Sequence, residues 1–360
     1  MSDMRDILLN TASRVLGAGA GVARAEALAA GHFPADLWSE LESAGLAQMC
    51  VIGQDFDLGD IMAVVRRVGY LAAPVPLADT LLAQWLLAEA GLDPAEGPLA
   101  VGPAFPLDAL TVDEIAHGPV LNGTLRAVPF GRDCLNLVAI ASRGDTPVLV
   151  ILPLSMATEC IEGRDLAEQP RDCFTFDAVP LAADQIHACP PALNREVLMR
   201  RGALLRCAAM SGAIARVLDL SVRYASERQQ FGRPIGKFQA VQQLMAQLAG
   251  ASAIATAAAE AAAAGVERGN GAFEVAAAKA RIGEAATMAT QIGHQVHGAM
   301  GFTREHELHL VTRLLWVWRE EYGSESYWHH RLGLTAASLG GKALWATIVQ
   351  PDGLGLEGDV

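Results

Sequence analysis

From residue 1 to about 93 the apolar positions recur at intervals of three and four. Ile7, Leu8, Ala12, Val15 and Leu16 come first, then Leu37, Leu41 and Leu46 behind Pro34, then Ile61, Val64 and Val65 behind Asp60. That period belongs to a helix and predicts three or four helices ending near Leu92. Between Gly97 and about Pro190 the rhythm shortens. LAVGPAF, GPVLNGTL, CLNLVAIAS, TPVLVILPL and CFTFDAVPL are β-rich runs split by Gly, Pro, Asp and Asn, which predicts an antiparallel sandwich or barrel. Past Pro191, four long stretches are rich in helix formers: Leu198 to Ser226, Phe238 to Ala264, Ala272 to His297 and Glu305 to Gly340. They predict a bundle of long antiparallel helices. The alanine-rich IATAAAEAAAAGVERG reads as packed helix, because alanine is the strongest helix former and lets helices approach closely. The fold class is α+β: an N-terminal helical domain over 1–95, a middle β domain over 96–190, a four-helix bundle over 191–340 and a tail over 341–360. Gly341, Pro351, Gly353, Gly355 and Gly358 predict a loose or partner-held tail. There is no internal repeat, which excludes a solenoid.

Composition narrows the class. Of 360 residues 52% are hydrophobic and 19% charged, which supplies a large core and excludes disordered, collagen-like and disulfide-scaffold chains. A formal net charge of −13 argues against nucleic acid or an anionic membrane as the main partner. Cys50, Cys134, Cys160, Cys173, Cys189 and Cys207 form no CxxC pair, so reduced thiols are expected, with no structural disulfide and no zinc site. The opening MSDMRDILLN carries no cleavable apolar core, and no stretch approaches 18 uninterrupted apolar residues. The expected setting is the cytoplasm.

Candidate chemistry concentrates in two stretches. In RYASERQQFGRPIGKFQAVQQ, a helix bearing Tyr224 and Glu227 ends at Arg228, the chain turns through Gly232, Pro234 and Gly236, and a new helix starts near Phe238. Arg228 at such a corner suits a phosphate or pyrophosphate, and Phe231 offers a flat face to a heterocycle. The plainer reading, in which Arg228 caps a helix and Phe231 is ordinary core, stands equal to it on these residues alone. In QIGHQVHGAMGF, Gly298 and Gly301 expose backbone beside Gln295 to a polar ligand, or else simply end a helix and turn the chain.

With the three-part layout, these stretches resemble the acyl-CoA dehydrogenase family of flavoproteins, in which RxxFGxxI, a following Gln and a later QxxGGxG grip FAD bound mainly by a neighbouring subunit. The matching positions are Arg228, Phe231, Gly232, Ile235 and Gln239, then Gln295, Gly298 and Gly301, with Ala299 in place of a usual glycine. VLNGT, from Val120 to Thr124, is similar to a signature of the family's β domain. The resemblance spans about Asp3 to Leu339. It implies FAD as cofactor, an acyl-CoA substrate, oligomerisation with the same or another acyl-CoA dehydrogenase subunit, and an electron-transferring flavoprotein as acceptor.

The same comparison exposes departures. Family members remove a proton α to the thioester with a glutamate while flavin N5 takes hydride from the β carbon. At one of the two family positions for that glutamate this chain has Tyr322, before Gly323; at the other it has about Gly202, beside Arg200 and Arg201. Glu320 and Glu321 lie close, but one residue of helix turns a side chain by about 100°. Glu321 is therefore only a candidate base, with a solvated charge at the start of the last helix as its plainer reading. Tyr322 can polarise or pack, since an ordinary phenol with a pKa of about 10 is a poor base. Where the family carries a TEPxxGSD-like loop, this chain has VGPAFPLDALTVDE. Ala127 and Pro129 stand where an aromatic and a Thr or Ser usually face the flavin ring.

An adenine and pyrophosphate grip without ring-side or base residues fits the silent half of an α2β2 assembly. This resembles the paired dehydrogenases of bacterial sterol and bulky-substrate catabolism, where a vacated pocket leaves room for a large ring-bearing acyl group. The alternatives are a self-sufficient homo-oligomeric dehydrogenase or a flavin monooxygenase of the same fold using Glu321 or another base, and a non-enzymatic scaffold.

Other groupings read plainly. His294 with His297 and His306 with His309 have metal-like spacing, but no carboxylate or Cys pattern completes a site, so no metal is expected. Trp316, Trp318, Tyr327 and Trp328 read as core or subunit interface ahead of an acyl-pocket wall, and Met245, Met288 and Met300 as core filler.

Overall fold

The computed structural model describes residues 2–18, 20–50, 56–105, 107–269 and 271–349. Its elements fall into two compact units that do not follow consecutive stretches of sequence. One contains Met1–Glu26, Asp57–Ala73 and the chain from Ala203 onward, and the other contains Ala27–Phe56 and Pro74–Gly202. The helices before residue 95 are thus divided between the units rather than forming a body of their own.

The helical unit starts with α1 (Ser2–Ala18) and α4 (Leu58–Leu71), with α2 (Val22–Ala29) and α3 (Ala35–Ser43) between them in the chain. Asp57 and Asp60 close a reciprocal capping box at the start of α4. Arg5 of α1 donates to both carboxylates, at 2.7 Å to Asp60 and 3.3 Å to Asp57, which ties α1 to that helix end. The bundle consists of α6 (Arg195–Glu227), α7 (Gln239–Glu267), α8 (Ala272–His297), α9 (Leu308–Glu320) and α10 (Glu325–Val349). Asn194 caps α6 by accepting the Val197 N–H at 2.9 Å.

The crossing of α4 and α6 is set by two glycines. A Cβ on Gly69 would sit 1.9 Å from the Ala209 carbonyl oxygen, and one on Gly212 would sit 1.9 Å from that of Arg66. Backbone lies on backbone there, and no side chain larger than hydrogen fits. α7 has the length and hydropathy of a membrane span, yet its alanine face (Ala251, Ala255, Ala259, Ala262, Ala263) is buried as a core helix of the bundle.

In the second unit, α5 (Leu77–Glu89) precedes eight strands: β1 (Leu99–Gly102), β2 (Ala109–Ile115), β3 (Gly118–Pro129), β4 (Asn136–Arg143), β5 (Thr146–Pro153), β6 (Glu159–Ile161), β7 (Arg171–Pro180) and β8 (Ile186–Ala188). Hydrogen bonds join them into one sheet in the order β6-β7-β3-β2-β4-β5-β8, with β1 also on β4. The sheet is not purely antiparallel as expected, because β1 and then β2 run parallel to β4. Leu110, Val112, Leu121, Leu125, Leu137, Val150, Phe174 and Phe176 pack one core cluster. Gly123 of the VLNGT signature has φ 133, and a Cβ there would fall 2.0 Å from the Ala109 carbonyl oxygen of the paired strand. Glycine is required at that crossing of chains.

The expected α+β order of helices, sheet and helices is the one the chain adopts. Particular readings are corrected. Five α-helices, not three or four, precede residue 95 among the described residues. The last predicted helix is two, α9 and α10, broken at 321–324, where Tyr322 and Gly323 take φ of 53° and 93°. The tail is helical through Val349: after a non-helical Gly340 (φ 70, ψ 160), KALWATIV holds no Gly or Pro to stop it, and residues 350–360 lie outside the described set. Met288 and Met300 are 39% and 46% exposed and so are not core filler. Trp318 and Trp328 are core, whereas Tyr327 is partly exposed.

Gly212→Ala should lower stability by at least about 1–3 kcal/mol through overpacking. Gly250→Ala, in open space on α7, should be neutral or stabilising by up to about 1 kcal/mol. Urea midpoints of the two variants check this, and equal midpoints would refute the backbone-contact account.

Candidate functional site

At the end of α6 the Arg228 N–H reaches the Tyr224 carbonyl at 2.8 Å, and the Arg228 carbonyl accepts from Ile235 N–H at 2.8 Å. The expected helix-turn-helix corner is a two-residue hairpin, in which β9 (Gln229–Gln230) pairs with β10 (Arg233–Pro234) around Phe231 and Gly232. Both tip residues have positive φ, 51° and 78°, the geometry of a tight hairpin turn. Phe231 is 92% exposed, touching Phe238 edge-on at 6.1 Å, so the ordinary-core reading does not hold for this chain. Neighbouring Arg233 stacks over Phe238 at 4.4 Å. The Arg228 guanidinium is exposed and engages no described side chain. Gln239, first residue of α7, is exposed as well.

The second stretch lies beside the first. Tyr224 of α6 stacks on His297, the last residue of α8, with ring centroids 4.6 Å apart, so the ends of both helices meet. Past His297 a short helical turn, Gly298–Phe302, carries Gly298 at φ 57 with open space around it and Ala299 exposed. Gln295 is exposed on α8. Gly301 departs from its expected role: it is buried, and a Cβ there would press on Leu308, His297 and His294 at 2.9–3.2 Å. Its missing side chain serves packing, while Gly298 leaves the backbone open. The histidines spend their ring atoms within the protein. His297 Nδ1 meets the Gly293 carbonyl at 2.7 Å, His294 Nε2 meets Thr312 Oγ1 at 3.0 Å, and His306 Nδ1 accepts the Leu308 N–H at 3.1 Å.

The turn between α9 and α10 holds the base candidates. Glu321 is 6% exposed, and its carboxylate accepts a hydrogen bond from the guanidinium of Arg206, itself buried on α6. Arg206 also lies over the ring of Tyr322, 5.4 Å from its centroid, and Tyr322 is 4% exposed. Lys279 of α8 reaches up from below. Its ammonium donates to the Arg319 and Gly323 carbonyls, both at 2.8 Å, holding the end of α9 and the left-handed Gly323 together. Trp328 Nε1 donates to the Tyr322 carbonyl at 3.1 Å, and Glu325 accepts from Arg319. Glu321 therefore stands as one half of a buried ion pair with Arg206.

Sequence reasoning passed over Arg206, Lys279 and the rings around His297. A lone Arg inside LLRCAAM, and one of only three lysines inside AAAKARI, were the available signals. A charge in an apolar run of a core helix needs a buried partner.

Elsewhere, Ala127 lies in β3 with φ 49 at a break in its register with β7, and Pro129 is buried opposite Arg171. Neither has a side-chain hydrogen-bonding group. Phe105 and Asp108 are fastened by the Asp108 carboxylate, which accepts from the Phe105 and Arg126 amides, and by Arg195, which donates to the Phe105 and Asp108 carbonyls. The helical unit also contains a cleft of about 710 Å³ lined by α1, α4, α6 and α7. Its α6 residues Ala208, Ser211, Gly212 and Ala215 lie about opposite to Arg206 at about 100° per residue, so this cleft does not open onto the Glu321 turn.

Burial lowers the Lys279 ammonium to about 8 from 10.5, against the pull of Cys207, Glu325 and Glu321. Between those values the unfolded chain holds a proton that the folded chain has released, so stability rises with pH across that window. Urea titrations from pH 8 to 10.5 should show wild type gaining on Lys279→Met by up to about 3 kcal/mol. A constant gap would place the amine in contact with water. Glu321→Gln, which removes the carboxylate counter-charge of the buried Arg206 guanidinium, should cost about 3–5 kcal/mol in the same assay.

A family profile described as "Acyl-CoA dehydrogenase, C-terminal domain" matches residues 196–325. Acyl-CoA dehydrogenase IpdE2 of Mycobacterium tuberculosis is 29% identical over 314 residues, covering 85% of this chain and 89% of that protein. Among solved structures, the Tcur3481-Tcur3483 steroid ACAD superposes with a TM-score of 0.82 at 23% identity, over 97% of this chain and 99% of that one. The ChsE4-ChsE5 complex from Mycobacterium tuberculosis gives 0.80 at 21% identity, over 94% and 98%. The two structures agree on the fold, and the profile and the IpdE2 relative agree in kind: over residues 196–325 the chain matches the C-terminal domain of the acyl-CoA dehydrogenase family of oxidoreductases, and over most of its length it is similar to a member of that family.

Proposed function

We propose that this chain is a subunit of a heteromeric, FAD-dependent acyl-CoA dehydrogenase, lending part of a shared flavin site and no catalytic base of its own. The observation that carries this reading is an asymmetry of unspent and spent charge. The exposed Arg228 guanidinium engages no described side chain and Phe231 is almost fully exposed, meeting Phe238 only edge-on, whereas Glu321 is occupied by Arg206 and Tyr322 fills the aligned base position.

The residues present suit the group. Arg228 would hold a pyrophosphate oxygen by a charge-assisted hydrogen bond and Phe231 would offer its face to the adenine. Gln239 and Gln295 would donate amide N–H groups, and Gly232 and Gly298 keep the backbone approachable. Bound FAD supplies the hydride acceptor for α,β-desaturation of an acyl-CoA thioester. Ala127 and Pro129 bring no ring-side donor, which supports assigning the reacting end of the site to a partner subunit. The likeness to a steroid ACAD and to the two-chain ChsE4-ChsE5 complex supports the same assembly and a bulky, ring-bearing acyl group. Re-oxidation by an electron-transferring flavoprotein and a cytoplasmic setting, in keeping with the free cysteines, complete the reading.

Purified alone, the chain should be colourless. Co-purified with a partner dehydrogenase subunit, it should form a yellow heterotetramer with about one flavin per two chains. Arg228→Ala should weaken FAD retention in that complex by roughly ten- to hundredfold, the weight of a charge-assisted contact. Glu321→Gln, compared per folded complex, should leave turnover within a small factor. A yellow homo-oligomer with one FAD per chain, or a loss of several orders of magnitude on Glu321→Gln, would instead favour a self-sufficient enzyme with Glu321 as its base.

A further inference from the structure

The two halves of the exposed grip come from different helices: Arg228 and Phe231 follow α6, and Gly298 follows α8. Aromatic rings join them. His297 is 2% exposed and stacks on Tyr224 at 4.6 Å; His306 meets His297 at 4.7 Å and Tyr224 at 6.3 Å, both edge-on. His294 stacks on Phe302, at the far end of the Gly298–Phe302 turn, at 4.4 Å. A Cβ on Gly301 would press on Leu308 at 2.9 Å and on His297 and His294 at 3.1 and 3.2 Å, so both histidines lie directly against the turn. Three imidazoles are thus built into the support of one turn.

Resting on the shared-flavin reading above, we propose that His297 is a positioning residue for the FAD grip. Its ring sets the Gly298–Phe302 turn against the end of α6, and the charge state of the imidazole cluster sets how firmly the grip holds.

The chemistry follows from what surrounds the rings. His297 Nδ1 donates to the Gly293 carbonyl, and Nε2 is buried without a completed hydrogen bond on the side of the Leu220 carbonyl. His294 Nδ1 is likewise buried and unpaired. A proton added to either imidazole is buried and has another imidazole nearby, and for His297 the Gly293 and Leu220 carbonyls offset only part of that cost. Burial, first, and repulsion between neighbours hold His294, His297 and His306 below the ordinary histidine value. On α6 the facing groups are Tyr224, Arg223 and Arg216, the last ion-paired with Glu307. Before and on α9 they are Glu307, His309 and Thr312. Glu307 alone favours a charged His306, while Arg223 and His309 oppose it. The folded state therefore prefers neutral rings, and its stability near this turn falls as pH drops below the usual histidine range of about 6.5.

The test measures FAD release from the purified complex by flavin fluorescence at about pH 7.5 and about pH 5.5. The same samples are followed by hydrogen exchange of the 298–302 amides, corrected for intrinsic rates. Wild type should hold FAD about tenfold more weakly at the lower pH, with faster exchange in the turn, as a coupling of this kind predicts. His297→Phe, which keeps an aromatic ring without a titrating nitrogen, should retain affinity at the higher pH and lose most of the pH dependence. His306→Phe serves as the second variant if the first fails to fold. Equal pH dependence in wild type and both variants, or none in wild type, overturns the proposal. A complex that binds no FAD at either pH defeats the shared-flavin reading instead. In that case the exchange data still decide, since pH-independent exchange of 298–302 in wild type overturns the positioning role.

Discussion

A guanidinium buried in a helical bundle has to find a counter-charge, and Arg206 meets that demand with Glu321 at the turn between α9 and α10. An unpaired buried charge is destabilising by several kcal/mol, so the turn cannot be placed independently of α6. The rest of that corner follows from this constraint. With Glu321 drawn toward α6, the chain reverses through left-handed Tyr322 and Gly323, and the carbonyls freed at the end of α9 need donors. Lys279 and the Trp328 indole supply them. α6, α8, α9 and α10 are thereby joined through one polar network inside an otherwise apolar core.

The contrast with Arg228 is instructive because the two arginines lie on one helix and at its end. Arg206 is buried and held by Glu321 and the Tyr322 ring of its own chain. Arg228, one position past the last turn of α6, borders a hairpin whose tip displays a strained, almost fully exposed phenylalanine. Folding alone gives no reason for Phe231 at φ 51, where glycine or asparagine would cost less. Exposed strain of that kind points to an outside ligand or partner.

What could be read from the sequence divides along the same line. Features set by local pattern were legible: the order of helices, sheet and bundle, the span of α8, and the corner marked by Arg228, Phe231 and Gly232. Those set by tertiary partners were not. GluGluTyrGly reads as helix by propensity, and only the Arg206 pairing and the Lys279 clamp break it there, although Gly323 followed by Ser324 was a usable stop-and-start signal. Gly298 and Gly301 looked alike in QVHGAMGF, yet only the packed imidazoles around Gly301 separate a glycine needed for room from one left open. The hairpin between α6 and α7 escaped notice because its strands are two residues each, too short to show a period. Parallel pairing of β1 and β2 on β4 likewise has no local signature.

These observations bear on why a flavin grip could outlast a catalytic base. A base must be buried, close to its substrate and free of internal partners, which leaves it costly to the fold and open to capture by a nearby cation. On the proposed reading, Arg206 beside Glu321 and Tyr322 is such a capture: the corner holds an ion pair and a packed ring where a free carboxylate would otherwise stand. A grip made of exposed groups at helix ends costs the fold little beyond the strain at Phe231, and it is kept only by what binds there. If, as proposed, a partner subunit supplies the reacting end of the site, pressure on the buried half lapses while pressure on the exposed half persists. The same reasoning accounts for the imidazoles beneath the grip: they are buried and internally bonded, so they answer to the fold, but the surface they support answers to the ligand.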